Sequence, residues 1–256
     1  MRFSSPETGR TYSDRMVDRS WNEWARLNLD PMGKDVVDIG CGGGIYSLGF
    51  AAIGARSVIG IDLSAQYLEE ARASSPEGGA LTFRAGSAMA TGLPDGCVDL
   101  VFERALIHHL TGAEREDNAL EARRLMRSGG MLIVQNRTLE DARSSDPRHW
   151  IRATLFETFP HLLAFEAARR PATLDYTDLL RRKGFSEVRT LRFEEVRKVY
   201  TTFDELRAEI LGRKGKSILF ELSDGELEVY CERLLAKSAS HPLVECDPWT
   251  VWLGTK

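Results

Sequence analysis

From residue 34 onward the chain alternates short apolar runs with longer segments in which apolar positions recur at helical spacing. Residues 34–39 and 57–61 are short and almost continuously apolar, the pattern of strands buried on both faces. Between them, 45–53 predicts a helix with Gly54 placed to end it. The segment SAQYLEEARASS predicts the next helix and residues 81–84 a third strand. Residues 97–103, CVDLVFE, predict a fourth buried strand. Thr111 and Glu114 have the spacing of a capping box, a hydroxyl and a carboxylate that satisfy the free amides of a helix start. That helix is expected to run to about Arg127, with Arg-Ser-Gly-Gly ending it and 131–136 forming a fifth strand.

The second half is less regular. Residues 147–165 are dense in aromatic and aliphatic side chains and predict a helical lid or pocket wall, although the stripe Trp150, Phe156, Phe159 and Phe165 reads first as core. TLDYTDLLRRKGF predicts a helix ending at Gly184, followed by the strand SEVRTLRF. Thr202 with Glu205 and Ser223 with Glu226 repeat the capping-box spacing, so two helices are expected between about 203 and 238. WTVWLGTK closes the chain as a strand. Strands alternating with helices imply an α/β fold: a doubly wound, mostly parallel sheet covered on both faces. Seven strands are expected, with a helical cap from about 140–170 and 200–240. Residues 1–33 are expected to form a helical segment over the ligand site, in front of one domain spanning 34–256.

Composition narrows the class of partner. The chain has 256 residues, 43% hydrophobic and 28% charged, with a net charge of −4. No concentrated basic stretch marks a nucleic-acid footprint. The first residues lack the apolar core of a signal peptide. The most apolar stretch, 36–55, carries Asp38 and six glycines, against a membrane span. Cys41, Cys97, Cys231 and Cys246 are scattered, with no Cys-x-x-Cys pair and no histidine at metal-ligand spacing, which predicts reduced cysteines in a cytoplasmic protein with no metal.

The chemistry concentrates where strand 34–39 meets the helix after it. Gly40, Gly42 and Gly44 fill that turn, and ligands of such sheets bind beyond the carboxyl ends of the strands. A dinucleotide fingerprint requires a third glycine at position 45, which is Ile45, and the Lys-Ser/Thr of a phosphate loop is missing. Asp38 lies two residues before Gly40, where a pyrophosphate would be repelled and an ammonium or sulfonium attracted. The fitting ligand is a cationic, phosphate-free nucleoside, and S-adenosylmethionine is one. Asp62, 18 residues past Gly44, sits where a carboxylate accepts from both ribose hydroxyls. Nicotinamide dinucleotides share that ribose, so Asp38 and Ile45 make the distinction.

The stretches VVDIGCGGG, GID, GSAMATGLPDGCVDLVFERALIHHL and LMRSGGMLIVQ resemble, in order, the motifs of class I S-adenosylmethionine-dependent methyltransferases. The resemblance covers residues 34–136. It implies that Asp38 and the backbone of Gly40, Cys41 and Gly42 hold the methionine part of the cofactor, which leaves as S-adenosylhomocysteine. It places Asp62 on the ribose, Leu63 against the adenine, and Ser87 and Ala88 at the adenine-contacting pair, with Ser87 where the family usually has Asp. Glu103 falls beside the transferable methyl group.

His109 is the candidate general base, with His108 beside it, since a near-neutral imidazole accepts a proton from a hydroxyl or ammonium. Packing is the competing role for both. Asp62 competes as a helix N-cap, and Glu103 as a buried partner of Arg104 or Arg137. Tyr12, Arg15 and Trp21 are further candidates for folding over the cofactor. An Asn/Asp-Pro-Pro-aromatic turn, expected of enzymes that methylate exocyclic amines of nucleic acids, is replaced by Phe-Glu-Arg-Ala. The expected activity is methyl transfer to a small molecule. The rival readings are a non-catalytic S-adenosylmethionine-binding protein and a nicotinamide-dependent oxidoreductase.

Overall fold

A computed structural model describes residues 19–76 and 79–256. Tyr12 and Arg15 lie outside the described residues. The first described element is α1 (Arg19–Leu29), followed by β1 (Asp35–Ile39), α2 (Ile45–Ala52), β2 (Ser57–Asp62), α3 (Ala65–Ala73), β3 (Leu81–Ala85), β4 (Val98–Arg104), α4 (Gly112–Leu125) and β5 (Met126–Asn136). It continues through α5 (Leu139–Ala142), α6 (Trp150–Thr158), α7 (His161–Arg169), α8 (Thr173–Arg182), β6 (Ser186–Val199), α9 (Phe203–Leu211), α10 (Asp224–Ser238) and β7 (Val244–Thr255). The seven strands form one sheet in the order β3-β2-β1-β4-β5-β7-β6. The strands β1 to β5 pair parallel, and β7 runs antiparallel to both β5 and β6.

Both faces of the central strands are buried, which explains their unbroken apolar runs. Successive residues of β1 point to opposite faces: Val37 joins a core with Ala119 and Leu125 of α4 and Leu180 of α8, while Val36 joins a core with Trp21 of α1 and Phe50 of α2. Trp21, Ala25 and Leu29 recur every fourth residue and are buried, so α1 is held by one stripe. Trp21 donates to Gln135 Oε1 at 3.0 Å and packs edge-on to Phe50 and Phe102. It is therefore a core residue, not the cofactor cover that the sequence suggested.

A separate apolar cluster fills the cap. Trp150, Phe156 and Phe159 pack there against Leu206, Leu219, Leu227 and Leu234, so the segment after β5 and the insert between β6 and β7 share one core. Phe165 stays partly exposed beneath Arg169.

Three local expectations change. Met126 already pairs with Val98, and residues 127–130 form an irregularity before Met131 pairs with Leu100, so Arg-Ser-Gly-Gly lies inside β5. The boxes at Thr111 and Ser223 close fully, but Glu205 reaches past Thr202 to the amide of Thr201 at 2.8 Å. The closing strand starts at Val244 rather than Trp249, and its early residues pair only with β6. The β6–β7 ribbon thus extends past the carboxyl ends of the parallel strands, next to the site.

Candidate functional site

The turn from β1 into α2 has Gly40, Gly42 and Gly44 all at positive φ. Gly44 is fixed by crowding as well: a Cβ there would meet Phe83 at 2.8 Å and Ala71 at 3.0 Å. A Cβ at Gly42, by contrast, would meet nothing within 4 Å, so bare backbone faces open space. The loop amides turn inward. Gly40 and Cys41 donate to the carbonyl of Ile61 at 2.7 and 3.0 Å, and Gly42 donates to Asp62 Oδ2 at 2.9 Å. The expectation that these amides face a ligand is corrected: they brace the loop against β2, and the Cα face of Gly42 is what remains on offer. The Cys41 side chain packs with Leu68 and Phe83.

Asp38 is 2% exposed and accepts from Ser47 Oγ at 2.6 Å. Burial, reinforced by the charge of Asp62, pushes its carboxyl up to about 7. Asp62 accepts from Gly42 through one oxygen and from the Ser64 amide through the other, both at 2.9 Å. Ser64, not Asp62, caps α3, accepting from the Tyr67 amide. Leu63 next to it is 75% exposed, a large apolar side chain left uncovered beside the loop. Ser87 Oγ accepts from the Met89 amide at 3.3 Å, and Ala88 is buried behind it.

Glu103, the last residue but one of β4, is 1% exposed. Its Oε1 accepts from Asn118 Nδ2 at 2.9 Å, while Oε2 has no hydrogen-bond partner among the described residues. Burial, then the neighbouring Asp38, pushes it up to about 8, so it is mostly protonated at neutral pH. Neither Arg104 nor Arg137 is its partner. Arg104 bonds Glu195 at 2.6 Å and Arg137 pairs with Asp247.

The histidines follow β4 in a single turn, with ring centroids 3.9 Å apart. His108 is buried, and since Asn136 Nδ2 donates to the Arg137 carbonyl, Asn136 Oδ1 accepts from His108 Nδ1 at 2.9 Å. Burial and the charge of Arg170 hold its pKa well below the usual range, so the packing role fits it. His109 keeps exposed surface. Even so, the protein crowded around its ring, followed by the charges of Arg169 and Arg170, holds it below the usual histidine range. It is neutral and able to accept a proton, but as a weak base.

Sequence reasoning missed the charged wall beyond these groups. Arg104 lies over both Tyr46 and Trp249, at 4.2 and 4.1 Å, and Arg137 lies over the same Trp249 ring at 3.9 Å. Glu195 ties the wall together, accepting from Tyr46, Trp249 and Arg104. Asp247 serves both Arg137 and Arg152, and Glu166 serves both Arg169 and Arg170. These residues come from α2, β4, β6, β7, α6, α7 and the positions just after β5 and α7, and no local motif joins them. A second grouping also escaped the sequence: His149, Glu194 and Cys246 bring one donor atom each within 4.8 Å of one another. His149 Nε2 lies 2.6 Å from Glu194, and burial pushes the Cys246 thiol up to about 11, so it stays neutral. All four cysteines are free.

Residues 37–134 match the family described as a methyltransferase domain. A 2-methyl-6-phytyl-1,4-hydroquinone methyltransferase of Synechocystis is 27% identical over 150 residues, covering 58% of this chain and 46% of that protein. A ribosomal protein L11 methyltransferase of Burkholderia cenocepacia is 38% identical over 81 residues, 32% of this chain and 24% of that protein. The chain thus spans less than half the length of either relative. The fold matches the crystal structure of a putative methyltransferase from an antibiotic biosynthesis pathway of Anabaena variabilis, with TM-score 0.71, 20% identity and coverage of 94% and 98% of the two chains. Over residues 37–134 the chain is thus similar to the methyltransferase domain, and the fold of the whole is that of the methyltransferase structure it matches.

Proposed function

We propose that this protein transfers the methyl group of S-adenosylmethionine to a small-molecule acceptor. The observation that carries the proposal is Asp62 bonded to the amide of Gly42, whose bare face is open, with buried Asp38 at the end of β1 close enough to feel its charge. A nucleoside that is cationic at one end and hydroxylated in the middle suits that order of groups. The site fits the cofactor by its shape too, since open space at Gly42 admits close approach and exposed Leu63 offers an apolar face for a base. A pyrophosphate would meet two carboxylates and no basic partner on the loop, against the nicotinamide reading.

When bound, the cofactor supplies a methyl group already activated by its sulfonium. The chain's own task is positioning and water exclusion, worth about 7–11 kcal/mol where alignment is good. Asp38 holds the ammonium, and Asp62 orients the ribose while Gly42 anchors its carboxylate. Glu103, protonated, keeps a spare hydrogen-bonding oxygen at the end of β4. Ser87 and Ala88 flank the adenine. His109 accepts a proton from an acceptor that must lose one, and its low basicity suits an acidic hydroxyl better than an ammonium. The cap, with a core of its own, supplies the cover over the acceptor. The hydroquinone-methylating relative is consistent with such an acceptor, whereas the L11 relative acts on a protein.

Calorimetric titration with S-adenosylhomocysteine, S-adenosylmethionine and NAD tests the proposal. Both sulfur nucleosides should bind and NAD should not. Binding of NAD alone would reverse the assignment. Transfer of a labelled methyl group to pooled metabolites tests turnover, and a blank across broad pools would favour a non-catalytic binding protein.

A further inference from the structure

We propose that the acceptor carries a carboxylate or phosphate group and that Arg104 and Arg137 form the fork that receives it. This rests on the methyl-transfer reading above and specifies the acceptor's chemistry. Two guanidinium groups on one indole is an unfavourable arrangement by itself, since like charges at this range repel in a partly buried setting. Tyr46 and Trp249 compensate in part through their ring faces. Glu195 pairs with Arg104, but Asp247 divides its charge between Arg137 and Arg152. Arg104 makes its hydrogen bond to Glu195 through one terminal nitrogen, and Arg137 bonds Asp247 through one. The Nε of each is buried with no partner among the described residues. A planar guanidinium presents five donors in a geometry that matches carboxylate and phosphate oxygens, so these two are under-used.

The charge balance around them points the same way. Among the described residues, Arg104, Arg137, Arg152, Arg169 and Arg170 share three ion-pairing carboxylates, those of Glu195, Asp247 and Glu166. The Arg170 guanidinium also donates to the backbone carbonyl of Arg137, which draws the second pair toward the first. Burial first, then the charge of Arg152, lowers the pKa of Arg137 to about 9 against the pull of Asp247, whereas that of Arg104, despite burial, is raised by Glu195, so the unbalanced member of the pair is Arg137. Asp38 and Glu103 do not close the gap. The first faces the cofactor's ammonium under this reading, and the second is protonated. The cofactor adds to the surplus, because a sulfonium and an ammonium outnumber its one carboxylate. The missing negative charge must arrive with the acceptor. Arg104 is the last residue of β4, its side chain with Tyr46 on the α2 face of the sheet while Glu103 meets Asn118 on the α4 face, so an anion held by Arg104 lies at the same carboxyl edge as the cofactor groups. The fork remains reachable, with the side chains of Arg104 and Arg137 15% and 16% exposed.

The test uses the full-length protein saturated with S-adenosylhomocysteine, in a constant chloride background. Benzoate and inorganic phosphate are titrated calorimetrically, with uncharged benzamide as the control. At least one anion should bind, its identity separating a carboxylate acceptor from a phosphorylated one, and benzamide should not. Arg137→Gln should weaken that anion about tenfold or more, the loss of a charge-assisted hydrogen bond. Arg137→Lys should recover part of it, and S-adenosylhomocysteine should bind all three proteins equally. The proposal is overturned if neither anion binds, if benzamide binds as well, or if Arg137→Gln keeps the anion. It is also overturned if the nucleoside weakens in step, because the fork would then hold the cofactor's carboxylate. Should Arg137→Gln fail to fold, Arg104→Gln reads the same fork. Failure of the wild-type protein to bind the nucleoside at all would instead strike the methyl-transfer reading.

Discussion

Gly42 and Gly44 sit two positions apart in one turn, yet the site depends on them for different reasons. Both need positive φ, but only Gly44 is pressed against Phe83 and Ala71. Gly44→Ala should therefore lower stability by about 2–4 kcal/mol, backbone strain plus overpacking. Gly42→Ala should cost about 1 kcal/mol, the left-handed penalty alone, while weakening S-adenosylhomocysteine markedly. Urea unfolding and calorimetry separate the two effects. Asp38 and Glu103 give the molecule a pH signature. Both carboxyls are raised in the folded chain, from 3.8 to about 7 and from 4.5 to about 8. Between these limits the native state holds protons that the unfolded chain has released, so stability falls as pH rises through that window and levels off above it. Glu103→Gln keeps the contact with Asn118 without the ionisable group. It should match wild type near pH 4.5 and exceed it above about pH 8 in urea titrations, and parallel curves would show that Glu103 is not the group responsible.

Among the elements, the β6–β7 ribbon concentrates the most charge in the least solvent. Asp247 is almost fully buried between Arg137 and Arg152, and those charges hold its carboxyl far below the ordinary range against the opposing effect of burial. Asp247→Asn preserves shape but strands two guanidinium groups, and should cost about 3–5 kcal/mol in urea unfolding. Arg207→Ala, at the exposed pair with Glu228, should cost under about 1 kcal/mol. The same ribbon marks where the sequence stops being legible. Strands β1 to β5, the helices between them and the glycine turn all announce themselves, because each is encoded by a local run of residues. Glu245, Cys246, Asp247 and Pro248 look like a loop. They form a strand because Pro248 lies beyond the end of β5, where no ladder amide is required of it on that side, and because the charges find partners on other elements. The sequence offers Arg104 a place beside Glu103 near the methyl group and both arginines a role as partners of Glu103, but not their wall, since Trp249 and Asp247 are more than a hundred residues away. Local periodicity carries no record of such meetings.

At the scale of the whole molecule, two apolar cores flank the sheet and a third fills the cap, and the candidate site lies where they meet. The groups assigned to the cofactor stand on β1, β2 and β4 and the loops that follow β1 to β3, all on the sheet side. The acceptor wall draws Arg152, Arg169 and Arg170 from cap helices. Damage to the cap core should therefore separate the two halves of the reaction. Leu206 is fully buried in that core, and Leu206→Ala should cost about 2–5 kcal/mol through lost contacts and a cavity. Because the lesion is far from Gly42, Asp38 and Asp62, nucleoside affinity should stay close to wild type while methyl transfer to the acceptor drops sharply. Hydrogen exchange locates the effect: amides of α6, α9 and α10 should lose protection, and those of β1 and β4 should keep theirs. Uniform loss of protection across sheet and cap would mean that the cap core is no separate unit, and that binding of cofactor and acceptor rises and falls together.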